Sequence, residues 1–264
     1  MSNEIKILLC THKESELPKD NIYLPIQVGK AVSGIDLGIQ GDNSGDNISE
    51  KNKNFCELTA LYWAWKNIKN LYPDIKYIGL SHYRRFFLFE KNLKKDLKKY
   101  QIILPKKIVH SYSNAIDYAI CHINSDYDLL KEIVYTQTPE YKNAFDRFMY
   151  GSNKGSFFNM FISDFDLFIE YCSWLFPILF ELENRIDLTG RDKYQARVFG
   201  FMAERLLNIF VYKHSLSSKL YPVQYHNEKN NIIIGQSYQS DKDILQSNLI
   251  FYTTKVINKI FSYL

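Results

Sequence analysis

The sequence predicts an α/β fold in which a mostly parallel sheet is flanked by helices, with a mainly helical C-terminal half. A compact apolar run at residues 5–10 is typical of a buried strand, and residues 76–80 form a second one. A polar loop and a segment with apolar residues at helical spacing lie between them. The order strand, loop, helix, strand is typical of parallel sheets, because their neighbouring strands need crossover connections.

The first strand ends in the polar triplet Thr11-His12-Lys13. Residues 34–54 are rich in Gly, Asp, Asn and Ser and therefore predict a long loop. A helix is predicted to begin at Asn54, with Glu57 as the second partner of a capping box, and to end near Pro73.

Further strands are predicted at residues 76–80 and 101–104, and the chain then becomes mainly helical. A long helix rich in aromatic residues is expected to use Ser163 and Asp166 as caps. Pro177 falls inside this helix and is expected to kink or divide it.

Residues 1–225 are predicted to form one domain, and residues 226–264 a tail that is helical from Leu245 onward. This tail either packs on the domain or lies on a membrane surface, and packing is the favoured alternative. No apolar run reaches the about 18 to 20 residues that span a bilayer, and the first residues lack a secretion signal. We therefore expect a cytoplasmic protein, with peripheral attachment to the inner face of the cytoplasmic membrane as the alternative.

The composition provides enough apolar material for a packed core, since 46% of the 264 residues are hydrophobic and 16% are aromatic. The 33 basic and 29 acidic residues nearly balance, which argues against a general nucleic-acid-binding protein. Four scattered cysteines without paired spacing are typical of reduced core residues. Signature motifs of kinases, dehydrogenases and common hydrolases do not occur, so these classes lose support.

The most informative candidate site is the motif His82-Tyr83-Arg84-Arg85, which directly follows the second strand. Strands of α/β proteins deliver side chains to the crevice beyond their carboxyl ends, and guanidinium groups suit phosphate or diphosphate. Successive side chains of an extended chain point to opposite faces. Arg84 and Arg85 therefore hold one phosphate only if the strand has turned; otherwise one binds the ligand while the other braces the loop. A surface cluster of solvated arginines is the alternative.

Two other polar segments are candidates for nucleotide binding. The triplet after the first strand offers a lysine for phosphate and a threonine or histidine for base or ribose. The loop before the first predicted helix lies at a helix N-terminus, which attracts anions through its free N–H groups and its dipole. Ordinary polar turns are the alternative for both. The candidate residues are Thr11, His12, Lys13, Asp46, Asn47 and Lys51.

A family resemblance is carried by Cys10-Thr11-His12-Lys13, Gly45-Asp46-Asn47-Ile48-Ser49, Cys56-Glu57-Leu58-Thr59-Ala60-Leu61-Tyr62-Trp63-Ala64-Trp65-Lys66-Asn67, Ser81-His82-Tyr83-Arg84-Arg85, Asn159-Met160-Phe161-Ile162, Tyr171-Cys172-Ser173-Trp174-Leu175-Phe176 and Arg197-Val198-Phe199-Gly200-Phe201-Met202-Ala203-Glu204-Arg205-Leu206. In this order they resemble a bacterial family from capsule and O-antigen gene clusters, long catalogued as a domain of unknown function. The resemblance covers roughly residues 4–225. Members are regarded as glycosyltransferases, some linked to galactofuranose transfer, and the implied fold is the nucleotide-diphosphate-sugar transferase fold called GT-A.

The resemblance also bears on metal dependence. Many GT-A enzymes bind a divalent metal through an Asp-x-Asp signature at a strand end, where this chain has Ser81-His82-Tyr83-Arg84-Arg85 in what looks like the same place. We therefore expect that no cofactor is required, since arginine and histidine would supply the positive charge. Dependence on Mn²⁺ or Mg²⁺ is the alternative.

An inverting glycosyltransferase uses a carboxylate to accept the proton of the acceptor hydroxyl. Glu204 is the first candidate, because it lies in an apolar amphipathic segment at residues 193–213 where burial would raise its pKa. An ion pair with a neighbouring basic residue is its alternative role. Asp164 is the second candidate, with helix capping as its alternative. Arg197, from the same resembling segment as Glu204, joins the donor-binding candidates.

The expected activity is that of a hexosyltransferase that uses a nucleotide-diphosphate sugar, with a UDP-sugar favoured and UDP-galactofuranose as one candidate. The expected acceptor is a lipid-linked capsular or O-antigen oligosaccharide, and no nucleic-acid partner is expected. A sugar-phosphate or polyol-phosphate transferase is one alternative. A non-catalytic glycan or membrane scaffold is the other.

Overall fold

The computed structural model describes residues 4–18, 20–89, 93–227, 232–234 and 239–261. The strands are β1 (Ile5–Thr11), β2 (Tyr23–Gln27), β3 (Gln40–Gly41), β4 (Tyr77–His82), β5 (Arg85–Phe87), β6 (Ile102–Pro105), β7 (Ile108–Val109), β8 (Lys154–Gly155), β9 (Phe161–Asp164), β10 (Ser218–Tyr221), β11 (Val223–Asn227) and β12 (Ile232–Ile234). The helices are α1 (Asn52–Phe55), α2 (Leu58–Leu71), α3 (Leu93–Lys99), α4 (Asn114–Cys121), α5 (Asn124–Gln137), α6 (Lys142–Met149), α7 (Phe165–Arg185), α8 (Val198–Lys213) and α9 (Asp241–Phe261).

The central sheet has the strand order β10-β6-β9-β4-β1-β2-β3. Its pairs are parallel except where β9 runs antiparallel to both β4 and β6. The predicted α/β class with a mostly parallel sheet is therefore confirmed. Because β1 and β4 are parallel neighbours, their carboxyl ends meet at one edge of the sheet, with Cys10 opposite His82.

Strand β1 separates two apolar clusters, because its side chains alternate between the two faces of the sheet. Leu8 and Cys10 belong to the larger cluster, which includes α2, α7 and α8. Ile7 and Leu9 belong to a smaller cluster on the other face. Burial on both faces explains why the strand is an almost continuous apolar run.

The chain turns sharply after β4. Tyr83 and Arg84 form a two-residue connection, so that His82 and Arg85 are paired across antiparallel strands. The hydroxyl of Ser81 stabilises the turn by donating to the carbonyl of Arg85 at 2.6 Å. The strand has therefore turned at the arginine pair, which was the condition for both arginines to face one ligand.

The predicted helix start at Asn54 is wrong. The side chain of Asn54 donates to the carbonyl of Ala196 at 2.7 Å instead of capping a helix. A short helix, α1, ends at Phe55, and Cys56 has a φ of 53°, which interrupts the helical path before α2 begins. Glu57 therefore lies at a break between two helices.

The caps predicted for α7 are also wrong, since Ser163 lies one position before the N-cap residue and Asp166 two positions after it. Asp164 is the N-cap residue, and its carboxylate accepts the N–H of Leu167 at 2.8 Å. Pro177 lies inside α7, which is one continuous helix from Phe165 to Arg185. The expected division at this proline does not occur.

Helix α9 packs beside β7 and β8. The side chains of Ser247 and Asn248 are hydrogen-bonded to Ser111 and Asn153, and Phe251 is buried. The domain boundary at residue 225 stays a prediction. Within the described residues, every helix is too short or too polar to cross a lipid bilayer.

Candidate active site

A cavity of about 690 Å³ lies at the edge of the sheet where β1 and β4 end. Its lining combines basic and acidic side chains from both halves of the chain. The basic residues are Lys53, Arg84, Arg85, Arg197, Arg205 and four histidines, His12, His82, His110 and His122; the acidic residues are Glu57, Asp117 and Glu204.

The ring of Tyr83 joins the two strand-end motifs. The imidazole of His12 meets it edge to face at 5.3 Å between ring centroids. Lys13 Nζ lies 5.5 Å from the ring centroid, and the guanidinium of Arg84 lies 5.0 Å from it. Three basic side chains thus contact one aromatic ring, and cation–π attraction stabilises the contacts of Lys13 and Arg84. Thr11 is buried behind this cluster and donates to the carbonyl of Lys13 at 2.6 Å.

The two adjacent arginines have different surroundings. Arg84 is exposed at the tip of the turn. The guanidinium of Arg85 lies 4.3 Å from the ring of Phe158 and 5.3 Å from that of Tyr225. Although the strand has turned, the two arginines thus have separate environments: Arg84 is open to solvent, and Arg85 packs against two aromatic rings.

His82 is uncharged in the folded protein. Burial lowers the pKa of its imidazole, and although Glu57 opposes this shift, Arg85 adds to it. Nε2 lies 2.6 Å from the carbonyl oxygen of Phe158 and so carries the hydrogen, because a carbonyl oxygen only accepts. These surroundings favour the neutral form of His82, in which the arginines and Lys53 are the cationic groups of the cavity.

Five predicted nucleotide-binding residues do not line the cavity: Thr11, Lys13, Asp46, Asn47 and Lys51. Asp46 accepts the hydroxyl of Tyr62 at 3.1 Å, and Asn47 accepts the N–H of Ser49 at 3.2 Å. Lys51 pairs with a glutamate of α7 at 2.7 Å. These bonds organise the loop in front of α1, and the following residues, Asn52 and Lys53, are the ones that reach the cavity.

Glu204 lines the cavity from α8, and its side chain is 16% exposed. One carboxylate oxygen accepts the backbone N–H of Phe158 at 2.8 Å, and the other accepts from Arg205 at 2.9 Å. Burial raises the pKa of Glu204, although the charge of Arg205 opposes the shift. The structure thus contains both features considered from the sequence, a carboxylate with a raised pKa and an ion pair.

Asp164 lies at the end of the sheet that is opposite to the cavity. It is paired with Tyr77, the first residue of β4, whereas the cavity lies beyond the last residue of that strand. We therefore interpret Asp164 as the cap of α7 and not as a group that reaches a bound substrate.

Glu57 and Asn159 were missed as site residues. The amide of Asn159 donates to the carboxylate of Glu57 at 2.6 Å and to the carbonyl of Gly200 at 3.0 Å. The same carboxylate of Glu57 lies 4.0 Å from His82 Nε2. Phe158 and Asn159 both have positive φ, 70° and 54°, which is uncommon for a bulky side chain and typical of strained functional segments.

A second polar network was also missed. His110 Nδ1 is 2.9 Å from one oxygen of Asp117, and Arg205 lies 3.4 Å from the other. Burial alone would raise the pKa of Asp117, but the hydrogen bond from His110 and the charges of His110 and Arg205 lower it. Arg205 is therefore shared by two carboxylates, those of Asp117 and Glu204.

Arg197 lies at the cavity wall, where its Nε donates to Cys56 Sγ at 3.2 Å. Its guanidinium lies 5.3 Å from the ring of Phe201. These contacts hold a cationic group beside the break between α1 and α2.

The carboxylates of the cavity do not fit a divalent cation. Each one already accepts hydrogen bonds from an amide, an arginine or a histidine, and the motif after β4 contains no carboxylate. Hard cations such as Mg²⁺ require several oxygen ligands. Within the described ranges, no group of three or more His, Cys, Asp or Glu side chains has a metal-binding arrangement. Metal independence stays a prediction.

The fold is similar to that of a solved glycosyltransferase. The apo structure of WbbM, described as a bifunctional glycosyltransferase, superposes with a TM-score of 0.77 and is 32% identical in sequence. The match covers 84% of this chain but 45% of that one, so this chain spans less than half the length of that protein. The similarity confirms the GT-A-like fold class expected from the sequence. A comparison with curated proteins found no match. A family model matches residues 6–215, and the chain therefore belongs to the family described as Domain of unknown function (DUF4422).

Proposed function

We propose that this protein is a glycosyltransferase that transfers a sugar from a nucleotide diphosphate. The observation that carries this proposal is that arginines and a carboxylate with a raised pKa line one cavity at the carboxyl edge of the sheet. Such a cavity offers cations for a diphosphate and a base for an acceptor hydroxyl. The similarity to a bifunctional glycosyltransferase supports the same activity.

The diphosphate binds near Arg84 and Arg197. Arg84 is exposed at the turn after β4, and Arg197 faces the same cavity from the segment before α8. Guanidinium groups stabilise the negative charge that the diphosphate gains when it leaves, which is the role that a metal ion has in other enzymes. Arg85 stabilises the turn, because its guanidinium packs on the rings of Phe158 and Tyr225.

Glu204 is the base in this proposal. The acceptor hydroxyl oxygen forms a bond to the anomeric carbon, the bond from that carbon to the diphosphate oxygen breaks, and its electrons leave with the diphosphate. The hydroxyl proton passes to Glu204 and then to solvent. A raised pKa favours this step, because a base works best when its pKa approaches the pH of the reaction.

The family resemblance supports a more specific proposal for the donor, the acceptor, the stereochemistry, the metal requirement and the cellular location. The donor is a UDP-sugar, with UDP-galactofuranose as one candidate, and the acceptor is a lipid-linked capsular or O-antigen glycan. Transfer proceeds with inversion and without a required metal. The protein works at the cytoplasmic face of the membrane that carries such acceptors.

A donor screen tests this proposal. The melting temperature of the protein is measured with UDP, UDP-sugars and CDP-glycerol, because a ligand that binds only the folded state raises it. We expect stabilisation by UDP and by at least one UDP-sugar. Stabilisation by CDP-glycerol alone would favour a polyol-phosphate transferase, and no response to any nucleotide would favour a scaffold.

A further inference from the structure

One wall of the cavity carries an aromatic platform formed by Tyr194 and His122. Tyr194 lines the cavity and is 49% exposed, although it is a large aromatic residue. Its ring is stacked on that of His122, with an interplanar angle of 10° and 5.5 Å between centroids. His122 thus packs against one side of the Tyr194 ring, while about half of the side chain stays exposed at the cavity wall.

Two further aromatic side chains, Phe201 and Tyr118, pack against this platform. The ring of Phe201 lies 4.8 Å from Tyr194 and 4.3 Å from His122 between centroids. Tyr118, which is buried, lies 4.6 Å from His122. The open ring therefore rests on several packed rings and does not need to be ordered when a ligand arrives.

The loop that carries Tyr194 is fixed by hydrogen bonds. The carboxylate of Asp192 accepts the backbone N–H groups of Tyr194 and Gln195, at 2.7 and 2.8 Å. The side chain of Gln195 donates to the carbonyl of Cys121 in α4 at 3.1 Å. These bonds tie the loop to the helix that also carries Asp117.

His122 is neutral at physiological pH, because burial and the charge of Arg205 lower its pKa to about 4. The two stacked rings therefore carry no charge of their own. This distinguishes the platform from the cationic group around Tyr83, where a diphosphate is expected.

Polar groups next to the platform lack partners. Within the described part of the chain, His110 Nε2, His122 Nδ1 and Arg205 Nε are buried without a hydrogen bond. All three residues line the cavity, together with Asp117. These three atoms are buried, so the polar group that this wall offers to a ligand is the carboxylate of Asp117, whose side chain is 20% exposed. An exposed aromatic ring beside a carboxylate suits a ligand that is apolar on one face and rich in hydroxyl groups at its rim.

We propose that Tyr194, supported by His122, is the stacking platform of an acceptor subsite that binds a pyranose ring. The positively polarised C–H groups of the sugar face pack on the negative face of the tyrosine ring, while the carboxylate of Asp117, whose side chain is 20% exposed, accepts from a hydroxyl group. This inference rests on the proposed function, in which the diphosphate lies near Arg84 and Arg197. Because the guanidinium of Arg197 is 5.3 Å from the ring of Phe201, the donor and the proposed acceptor subsite adjoin each other at this arginine. The base of the nucleotide is the competing occupant, since it also stacks on aromatic rings.

Saturation-transfer NMR tests the subsite with methyl β-D-galactopyranoside, methyl β-D-glucopyranoside and methyl α-D-mannopyranoside as probes, in the presence of UDP. We expect transfer to the ring protons of at least one probe with the wild-type protein. Tyr194→Phe keeps the ring and should retain the signal, whereas Tyr194→Ala should reduce it at least fivefold. Tyr252→Ala is the matched control, because Tyr252 is an exposed tyrosine on α9 that does not line the cavity.

The affinity for UDP, measured by calorimetry on the same variants, separates the possible results. Unchanged UDP affinity with loss of the sugar signal in Tyr194→Ala supports the subsite. Equal sugar signals in wild type and Tyr194→Ala, or no signal from any probe with the wild type, would overturn it. A loss of UDP affinity in Tyr194→Ala would assign the ring to the nucleotide base instead. Sugar binding without any UDP binding would contradict the proposed function and leave the subsite standing.

Discussion

Glu204 accepts the backbone N–H of Phe158 at 2.8 Å, and the carbonyl of the same Phe158 accepts from His82 at 2.6 Å. One residue with a left-handed backbone therefore links the candidate base on α8 to the motif at the end of β4. The guanidinium of Arg85 lies over the ring of this residue. The strained Phe158 segment thus fixes the distance between the groups that would act on the acceptor and on the diphosphate.

Replacement of Glu204 by glutamine should lower the rate of sugar transfer by a factor of about 100 or more, since general-base catalysis contributes about that much. The glutamine oxygen can still accept the N–H of Phe158, but the amide NH₂ group then faces Arg205, so the melting temperature should fall while the variant stays folded, which circular dichroism checks. The wild-type rate should fall as the pH drops below the raised pKa of Glu204, because the protonated carboxyl cannot accept a proton. A Glu204→Gln variant with wild-type turnover would remove this residue from the mechanism.

The two arginines of the turn should differ when each is replaced by alanine. Arg84→Ala should weaken donor binding by a factor of about 10 to 100, the equivalent of one charge-assisted hydrogen bond, with little change in stability. Arg85→Ala should lower the free energy of unfolding by about 1 kcal/mol, because it removes the contacts with Phe158 and Tyr225. Calorimetry of donor binding and urea unfolding of both variants check this, and identical effects of the two substitutions would contradict it.

Acidification should destabilise the protein through His122. Its pKa is about 4 in the folded protein against an ordinary value of 6.5, so the unfolded chain binds the proton more readily. The stability that His122 contributes is therefore complete above pH 6.5 and is lost as the pH falls toward 4. The melting temperature of wild type should drop more between pH 7.5 and 5 than that of His122→Phe, which keeps an aromatic ring. Parallel curves for the two proteins would show that His122 does not titrate as described.

Removal of divalent metal should leave transfer activity within about twofold of its starting value. The expectation rests on the carboxylates of the cavity, which are engaged by Asn159, Arg205 and His110. The measurement compares initial rates in EDTA with rates in Mn²⁺ and Mg²⁺. A loss of activity in EDTA that Mn²⁺ restores would contradict this prediction. It would show that the protein binds a metal ion through other groups than these carboxylates.

The strands that position the site could be predicted from local patterns. The apolar run at the start of the chain and the run before His82 are short, continuous and followed by polar residues, which is enough to place both strand ends at one edge. The raised pKa of Glu204 was also predictable, because an acidic residue on an apolar helix is expected to be buried.

Local sequence patterns could not predict the contacts between segments that are far apart in the sequence. Glu57 looked like a capping residue, and only the left-handed conformation of Cys56 turns the following residue toward Asn159. Asp117, His110 and Arg205 lie on three separate segments, so no spacing indicates their network. A left-handed asparagine such as Asn159 leaves a weak sequence signal at best, since asparagine occurs in many turns.

The affinity of the protein for UDP, UMP and uridine, measured by calorimetry at fixed ionic strength, tests most directly whether the cationic cavity binds a diphosphate. We predict that wild type binds UDP more tightly than UMP and UMP more tightly than uridine. In the variant with Arg84→Ala and Arg197→Ala, UDP affinity should fall at least about 100-fold while uridine affinity stays the same. Arg185→Ala, which removes an arginine far from the cavity lining, is the matched control and should behave like wild type. Equal affinities of wild type for UDP and uridine, or wild-type UDP binding by the double variant, would contradict the account.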